Sequence, residues 1–285
     1  TPLILQVSTD ESFSSLIVEE NFDALATSDH CVKVRVSNLE AGQYYYYRFI
    51  YQAGGSNYVS HTGRTKTAPA IDSDGKVKFA YVSCQDYIGR YYNNYLSILD
   101  NDDLDFVIHL GDYIYETTGD ELFQTTGSER SVAFSDQEGA LTIGVGDGAS
   151  QAANSLDNYR QLYKTYRSDE LLQKVHERFP MIAIWDDHEF SDDSWSDRAT
   201  YLDGAADEQQ TQRKKDSEIA YFEFMPIDHE QPHTQAELAS GLLTIDDSYL
   251  YPNTRIYRDF HFGKHLHLVM TDFRTNRPDH ILPED

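Results

Sequence analysis

Three short runs in this sequence combine side chains that bind hard cations with a backbone pattern suited to bringing them together. They are Ser83-Cys84-Gln85-Asp86, His109-Leu110-Gly111-Asp112-Tyr113-Ile114-Tyr115-Glu116 and Trp185-Asp186-Asp187-His188-Glu189. Each follows directly on an apolar stretch with the composition of a strand. Open α/β sheets place their chemistry at the C-terminal ends of such strands.

In the second run, Gly111 lets the backbone turn sharply where the strand stops. Asp112 then points above the sheet, where one carboxylate can bridge two cations. Tyr115 lies three residues on, about one turn along if a helix begins there. A phenol with a pKa near 10 is a poor ligand for most divalent ions. It suits a hard, highly charged ion such as ferric iron, which would also deprotonate Cys84. Taken singly, Cys84 reads as a small buried hydrophobe, Tyr115 as core packing and Asp112 as a helix cap. Their shared position at strand ends favours a metal centre. In the third run, Asp186 and Asp187 are adjacent and point apart, so one ligates while the other packs or caps. His188 beside them is a candidate to contact a phosphoryl group or protonate a leaving oxygen. The competing reading is an ion pair on a surface loop.

The elements that must position these residues fall into two parts. Residues 1–69 read as β: strands at 4–8, 15–19 and 30–36, a turn at 38–42 and an aromatic run from Tyr44 to Tyr51. This spacing predicts a small antiparallel sandwich that supports or shields the rest. Gly63 to Asp74 reads as a linker. Residues 70–285 alternate apolar strands (77–83, 105–110, 181–185) with helical stretches (91–99 and about 156–175), then a strand pair at 254–262 and 265–271. That pattern predicts an α/β domain with a mixed sheet. Gly139 to Ala153 reads as a loop insertion, and His261, His265 and His267 as part of a sheet face.

Composition narrows the function classes. The 285 residues are 40% hydrophobic and 13% aromatic, enough for a substantial core. The net charge of −25, from 48 acidic and 23 basic residues, repels nucleic acid and anionic lipid. It also repels a phosphate ester unless a local positive charge, such as a metal cluster, reverses the field. No stretch reaches the roughly 20 apolar residues of a membrane helix. The two cysteines, Cys31 and Cys84, fall in different predicted domains and form no secreted disulfide framework.

The order Ser-Cys-Gln, His-Leu-Gly-Asp-Tyr-Ile-Tyr-Glu, Ile-Trp-Asp-Asp-His-Glu, Met225-Pro226 and Thr271-Asp272-Phe273-Arg274-Thr275-Asn276-Arg277 resembles the alkaline phosphatase D, or PhoD-like, family of calcineurin-like metallophosphoesterases. Val7-Ser8-Thr9-Asp10 and Gly63 to Pro69 resemble that family's N-terminal domain. The resemblance implies an immunoglobulin/fibronectin-like sandwich at 1–69 and a metallophosphoesterase mixed-sheet core at 70–285. It implies hydrolysis of small phosphomonoesters or phosphodiesters by a metal-activated hydroxide at a site holding Fe3+ and Ca2+. Cys84, Asp112 and Tyr115 would hold the iron, Asp112 would bridge to calcium, Asp187 would ligate calcium and His188 would contact the phosphoryl group. Asp186, Arg274 and Arg277 stay outside this set, and Asp272 with the two arginines would form a structural ion-pair network. The family's final His-containing run is not among these residues, and the start of the sandwich looks clipped. The expectation is therefore a secreted or periplasmic protein represented by a fragment lacking the C-terminal part of its metal site. The alternatives are a phospholipase D-type phosphodiesterase of the same family and an inactive metal-binding chain. Oligomeric state is not readable.

Overall fold

The computed structural model describes residues 1–121, 123–144, 149–199, 208–230 and 232–278. Its N-terminal part is one five-stranded antiparallel sheet. β1 (Pro2–Ser8) lies between β2 (Leu16–Asp23) and β3 (Tyr44–Ala53), and β3 also pairs β4 (Ser56–Val59) and β5 (Gly63–Lys66). Leu5, Val7, Phe22 and Tyr45 form a small core on one face. Here the structure departs from the expected strand at 30–36. Val32, Val34 and Val36 do pack on that core. Their backbone, however, bonds across to the other part of the chain: Arg35 N donates to Gly241 O at 2.7 Å and Leu243 N to Lys33 O at 2.9 Å. The alternation is real, but its hydrogen-bond partners are a loop rather than a strand. Gly63 to Lys66, expected as linker, is β5.

The second part is built on three parallel strands in the order β10-β7-β6: β6 (Phe79–Val82), β7 (Phe106–His109) and β10 (Met181–Ala183). The central strand β7 is buried at every position, as expected of a parallel strand covered on both faces. β6 is not the buried strand its composition suggests. It is a sheet edge, with Tyr81 69% exposed.

α1 (Tyr95–Leu99) follows β6. A short antiparallel pair, β8 (Leu141–Ile143) and β9 (Ser150–Ala152), lies in the expected insertion, of which residues 145–148 fall outside the described set. The helical region expected at 156–175 is two helices, α2 (Leu156–Tyr166) and α3 (Glu170–Arg178). Asp169 separates them by accepting from Leu171 N and Leu172 N, which makes it the cap of a new helix rather than a residue within one.

α4 (Thr211–Phe224) gives no clear sequence signal, because its buried residues include Arg213, Lys214, Ser217 and Glu218 beside Ala220, Tyr221 and Phe222. A polar buried face erases the apolar stripe on which helix recognition depends. α5 (Gln235–Ser240) and the hairpin of β11 (Arg258–Phe262) and β12 (Leu266–Met270) complete the elements. The hairpin packs on the sheet through Phe262, whose ring stacks on Phe106 at 4.3 Å. His261 and His267 pair across the hairpin on its exposed side.

The two parts meet through polar contacts. Arg64 and Arg178 share Asp102 at 2.8 and 2.6 Å, and Lys66 pairs with Asp105 at 2.5 Å. The ammonium of Lys33 donates to the carbonyls of Phe222 and Ile227.

Candidate metal centre

The tips of β6, β7 and β10 are tied together beyond the strands themselves. Cys84 N donates to Gly111 O at 3.1 Å, Gln85 N to Asp112 O at 3.0 Å and Ile184 N to His109 O at 3.0 Å. At this point the backbone leaves extended geometry. Cys84 has φ +57°, Gly111 +113° and Asp112 +53°. Left-handed conformations at non-glycine residues are costly and persist where the surroundings enforce them. At Gly111 a side chain is excluded as well, since a Cβ would strike the backbone of Asp186 and Trp185. The glycine thus lets the turn after β7 sit directly against the turn after β10.

This crossing gathers the residues expected from the sequence. Asp112 Oδ2 lies 3.3 Å from Cys84 Sγ and 3.4 Å from Tyr115 Oη. Its other oxygen, Oδ1, is buried and without a hydrogen-bond partner among the described residues. Donor atoms of Asp112, Asp187 and His188 lie within 4.8 Å of one another, and Asp187 forms a second such group with Asp192 and Asp193. Asp112, Tyr115, Asp187 and His188 are buried, whereas Cys84 remains open to solvent.

A thiol, a phenol and buried carboxylates at this spacing fit a cation. Without one they stand in conflict. Burial pushes the Asp112 carboxyl, the Cys84 thiol and the Tyr115 phenol all above their ordinary values, and the neighbouring acid groups add to the rise. Burial likewise lifts Asp187 to about 7. Each group is held toward its protonated form, which is the environment a multivalent cation reverses.

The orphaned Asp112 Oδ1 is the clearest sign of fit, since a buried carboxylate oxygen normally has a partner.

Two acids with no role assigned from the sequence prove central. Glu189 is buried and accepts from Tyr113 N at 2.6 Å, Asp186 N at 2.8 Å and Asp112 N at 3.2 Å. One carboxylate thereby holds the turns after β7 and β10 in register. Burial and the nearby Asp112 raise it to about 8 despite those three donors. Glu116 accepts from His188 Nδ1 at 2.8 Å, leaving Nε2 on the opposite side, 3.5 Å from Asp192. Burial alone would lower the His188 pKa; Glu116, then Asp187 and Asp112, outweigh it and raise it to about 10. The signal for both acids was in the sequence: each closes a motif already singled out.

Arg274 also departs from expectation. Rather than joining Asp272 and Arg277 in a network, it pairs with Asp186 at 2.7 Å and Asp187 at 3.2 Å and lies 3.8 Å from Asp193. Asp272 instead accepts from Arg274 N, Thr275 N and the indole of Trp185. The cap uses Asp272 Oδ1 alone, and the guanidinium reaches past it to the metal-competent acids.

Comparison with known proteins identifies the family to which the chain belongs. Residues 79–283 match the family model of the PhoD-like phosphatases, and residues 1–69 match the model of the PhoD-like phosphatase N-terminal domain. This chain belongs to the PhoD-like phosphatase family. It is 30% identical over 279 residues to alkaline phosphatase D of Bacillus subtilis (strain 168), which covers 98% of this chain and 41% of that protein. A solved structure of PhoD superposes with a TM-score of 0.74 at 29% identity, covering 98% of this chain and 46% of the other. A purple acid phosphatase from yellow lupin (Lupinus luteus) seeds shares 10% identity and a TM-score of 0.47 over 80% of this chain and 36% of its own. This chain thus spans about two fifths of the length of the curated relative it matches.

Proposed function

We propose that this chain carries a principal part of the centre of a metal-dependent phosphoric ester hydrolase acting on small phosphomonoesters or phosphodiesters, with Fe3+ and Ca2+ as the cations. The observation that supports it most is Asp112: one oxygen sits between a thiol and a phenol, and the other is buried without a partner among the described residues.

Cys84, Asp112 and Tyr115 would hold the ferric ion, a hard cation that favours phenolate and carboxylate oxygen. Asp112 would reach across to calcium, with Asp187 on that side, in keeping with calcium's preference for carboxylate oxygens. Bound cations supply charge neutralisation at the phosphoryl oxygens and activate water.

The remaining work falls to the protein. Glu116 fixes the His188 ring, so that its Nε2–H faces away from the carboxylate and can donate to a phosphoryl or leaving oxygen. Arg274 offsets the repulsion among Asp186, Asp187 and Asp193, letting an acidic chain present a site that an anionic ester can approach. Glu189 keeps the turns bearing Asp112 and Asp186 at a fixed separation.

Metal analysis combined with turnover of p-nitrophenyl phosphate and bis(p-nitrophenyl) phosphate tests this reading. Iron and calcium should co-purify with turnover, and Asp112→Ala should lose both. Retention of iron by Asp112→Ala would refute the ligand assignment. Iron and calcium without turnover of either ester would refute catalysis by this chain.

A further inference from the structure

A second group of metal-competent side chains lies away from the strand tips, in the segment joining α4 to α5. One donor atom from each of Asp228, His229 and His233 lies within 4.8 Å of the others. His229 is buried and His233 half-buried, with side-chain exposures of 6% and 11%. The site differs from the exposed trio of Asp259, His261 and His267 on the hairpin, where both imidazoles lean on one carboxylate oxygen.

The local bonding is organised as around a bound ion. His233 Nε2 lies 2.8 Å from Asp228 Oδ2, while His233 Nδ1 and Asp228 Oδ1 are buried and have no hydrogen-bond partner among the described residues. A nitrogen and a carboxylate oxygen brought this close are also placed as neighbouring ligand atoms of one ion. Glu237 stands 3.9 Å from His229 Nε2 and 3.9 Å from His233 Nδ1, too far for hydrogen bonds. It is already fixed by donors from Thr234 and Thr244. Tyr249 stacks on His229 with ring centroids 4.0 Å apart, limiting its rotation.

We propose that Asp228, His229 and His233 form a second metal site for a divalent transition ion of the zinc type, with Glu237 as the adjacent carboxylate. Two imidazoles and carboxylate oxygen make a borderline donor set that suits Zn2+ better than Ca2+. Asp228 and His229 also line a cavity of about 400 Å3 between the N-terminal sheet and α4, which offers an entry path. The site has structural consequences. The same segment receives the Lys33 ammonium at Ile227 O and carries the Arg35–Gly241 and Leu243–Lys33 backbone bonds. An ion here would rigidify the seam between the two parts of the chain.

The test uses the whole chain carrying Asp112→Asn, which disables the first centre, and Zn2+ or Co2+ as the probe. Equilibrium dialysis with elemental analysis should find about one equivalent of Zn2+ bound. Adding His229→Gln and His233→Gln should weaken that binding at least tenfold. Co2+ on the Asp112→Asn chain should give visible d–d bands without thiolate charge transfer, a readout that requires no further variant to fold. The proposal is overturned if no Zn2+ binds, if the double histidine variant binds it equally, or if a thiolate band places the ion on Cys31 or Cys84.

Discussion

The N-terminal sheet and the three-stranded parallel sheet solve opposite problems. The first has long strands, seven to ten residues in β1 to β3, with a small core and many half-wet tyrosines. The second has strands of three or four residues, yet Val107, Ala183 and the inward side chains of the adjoining helices, such as Leu162, Tyr163, Leu172 and Val175, are fully buried. Regular pairing carries the first. The second rests on packing around short strands and then spends that stability at its tips, where buried acids gather beside the left-handed Cys84 and Asp112. Conflict is concentrated where chemistry is proposed, as expected of functional sites.

If this contrast holds, the largest effect belongs to the tips. Gly111→Ala should destabilise the chain by about 3 kcal/mol or more, because the positive φ and the collision with Asp186 and Trp185 add. A fall in melting temperature of roughly 6 °C or more would be read by calorimetry. Unchanged stability would show that the strand tips are looser than their geometry implies.

Glu189→Gln probes the same crossing more gently. The amide preserves shape but offers one acceptor oxygen to three backbone donors, so the loss should be about 1.5–3 kcal/mol. Because Glu189 positions the backbone of Asp112, iron affinity should also fall, by about 10- to 100-fold. Equal affinity in the variant, measured by competition with a chelator, would reduce Glu189 to a fold residue.

Why these acids escaped a role in the sequence is instructive. Strand positions and the gathering of Cys84, Asp112, Tyr115 and His188 followed from apolar runs ending in ligand-type side chains, whereas the choice of Asp187 over Asp186 came from the family resemblance. Glu116 and Glu189 belong to the same runs, but their partners are 72 to 77 residues away or are backbone amides, which no local pattern reveals. Arg274 was misread for a related reason: proximity in sequence suggested Asp272, whereas the chain reversal delivers it to Asp186 and Asp187. The Asp228–His233 cluster went unnoticed because it follows a helix whose buried face is polar.

The seam between the two sheets should respond to pH rather than to metal at the first centre. Burial lowers the Lys33 pKa from an ordinary 10.5 to about 8. The unfolded chain therefore binds that proton more tightly than the folded one. Lys33's contribution is fully present above about pH 10.5 and is lost as pH falls through about 8. Compared with Lys33→Met, the wild-type chain should gain stability between pH 8 and 10, on the order of 1 kcal/mol. Parallel denaturation curves for the two chains across that range would place Lys33 outside the seam's energetics.

The smallest effect belongs to the far edge of the N-terminal sheet. Tyr58 on β4 is 60% exposed and meets Tyr51 at a ring separation of 6.0 Å, with no buried partner. Tyr58→Ser should change stability by less than about 0.5 kcal/mol, since exposed substitutions away from caps and cores are nearly neutral. Ester turnover and metal content should be unchanged. A loss above about 1 kcal/mol, seen in urea denaturation, would mean that this edge is covered in solution, and would erase the contrast between a tolerant N-terminal sheet and intolerant strand tips.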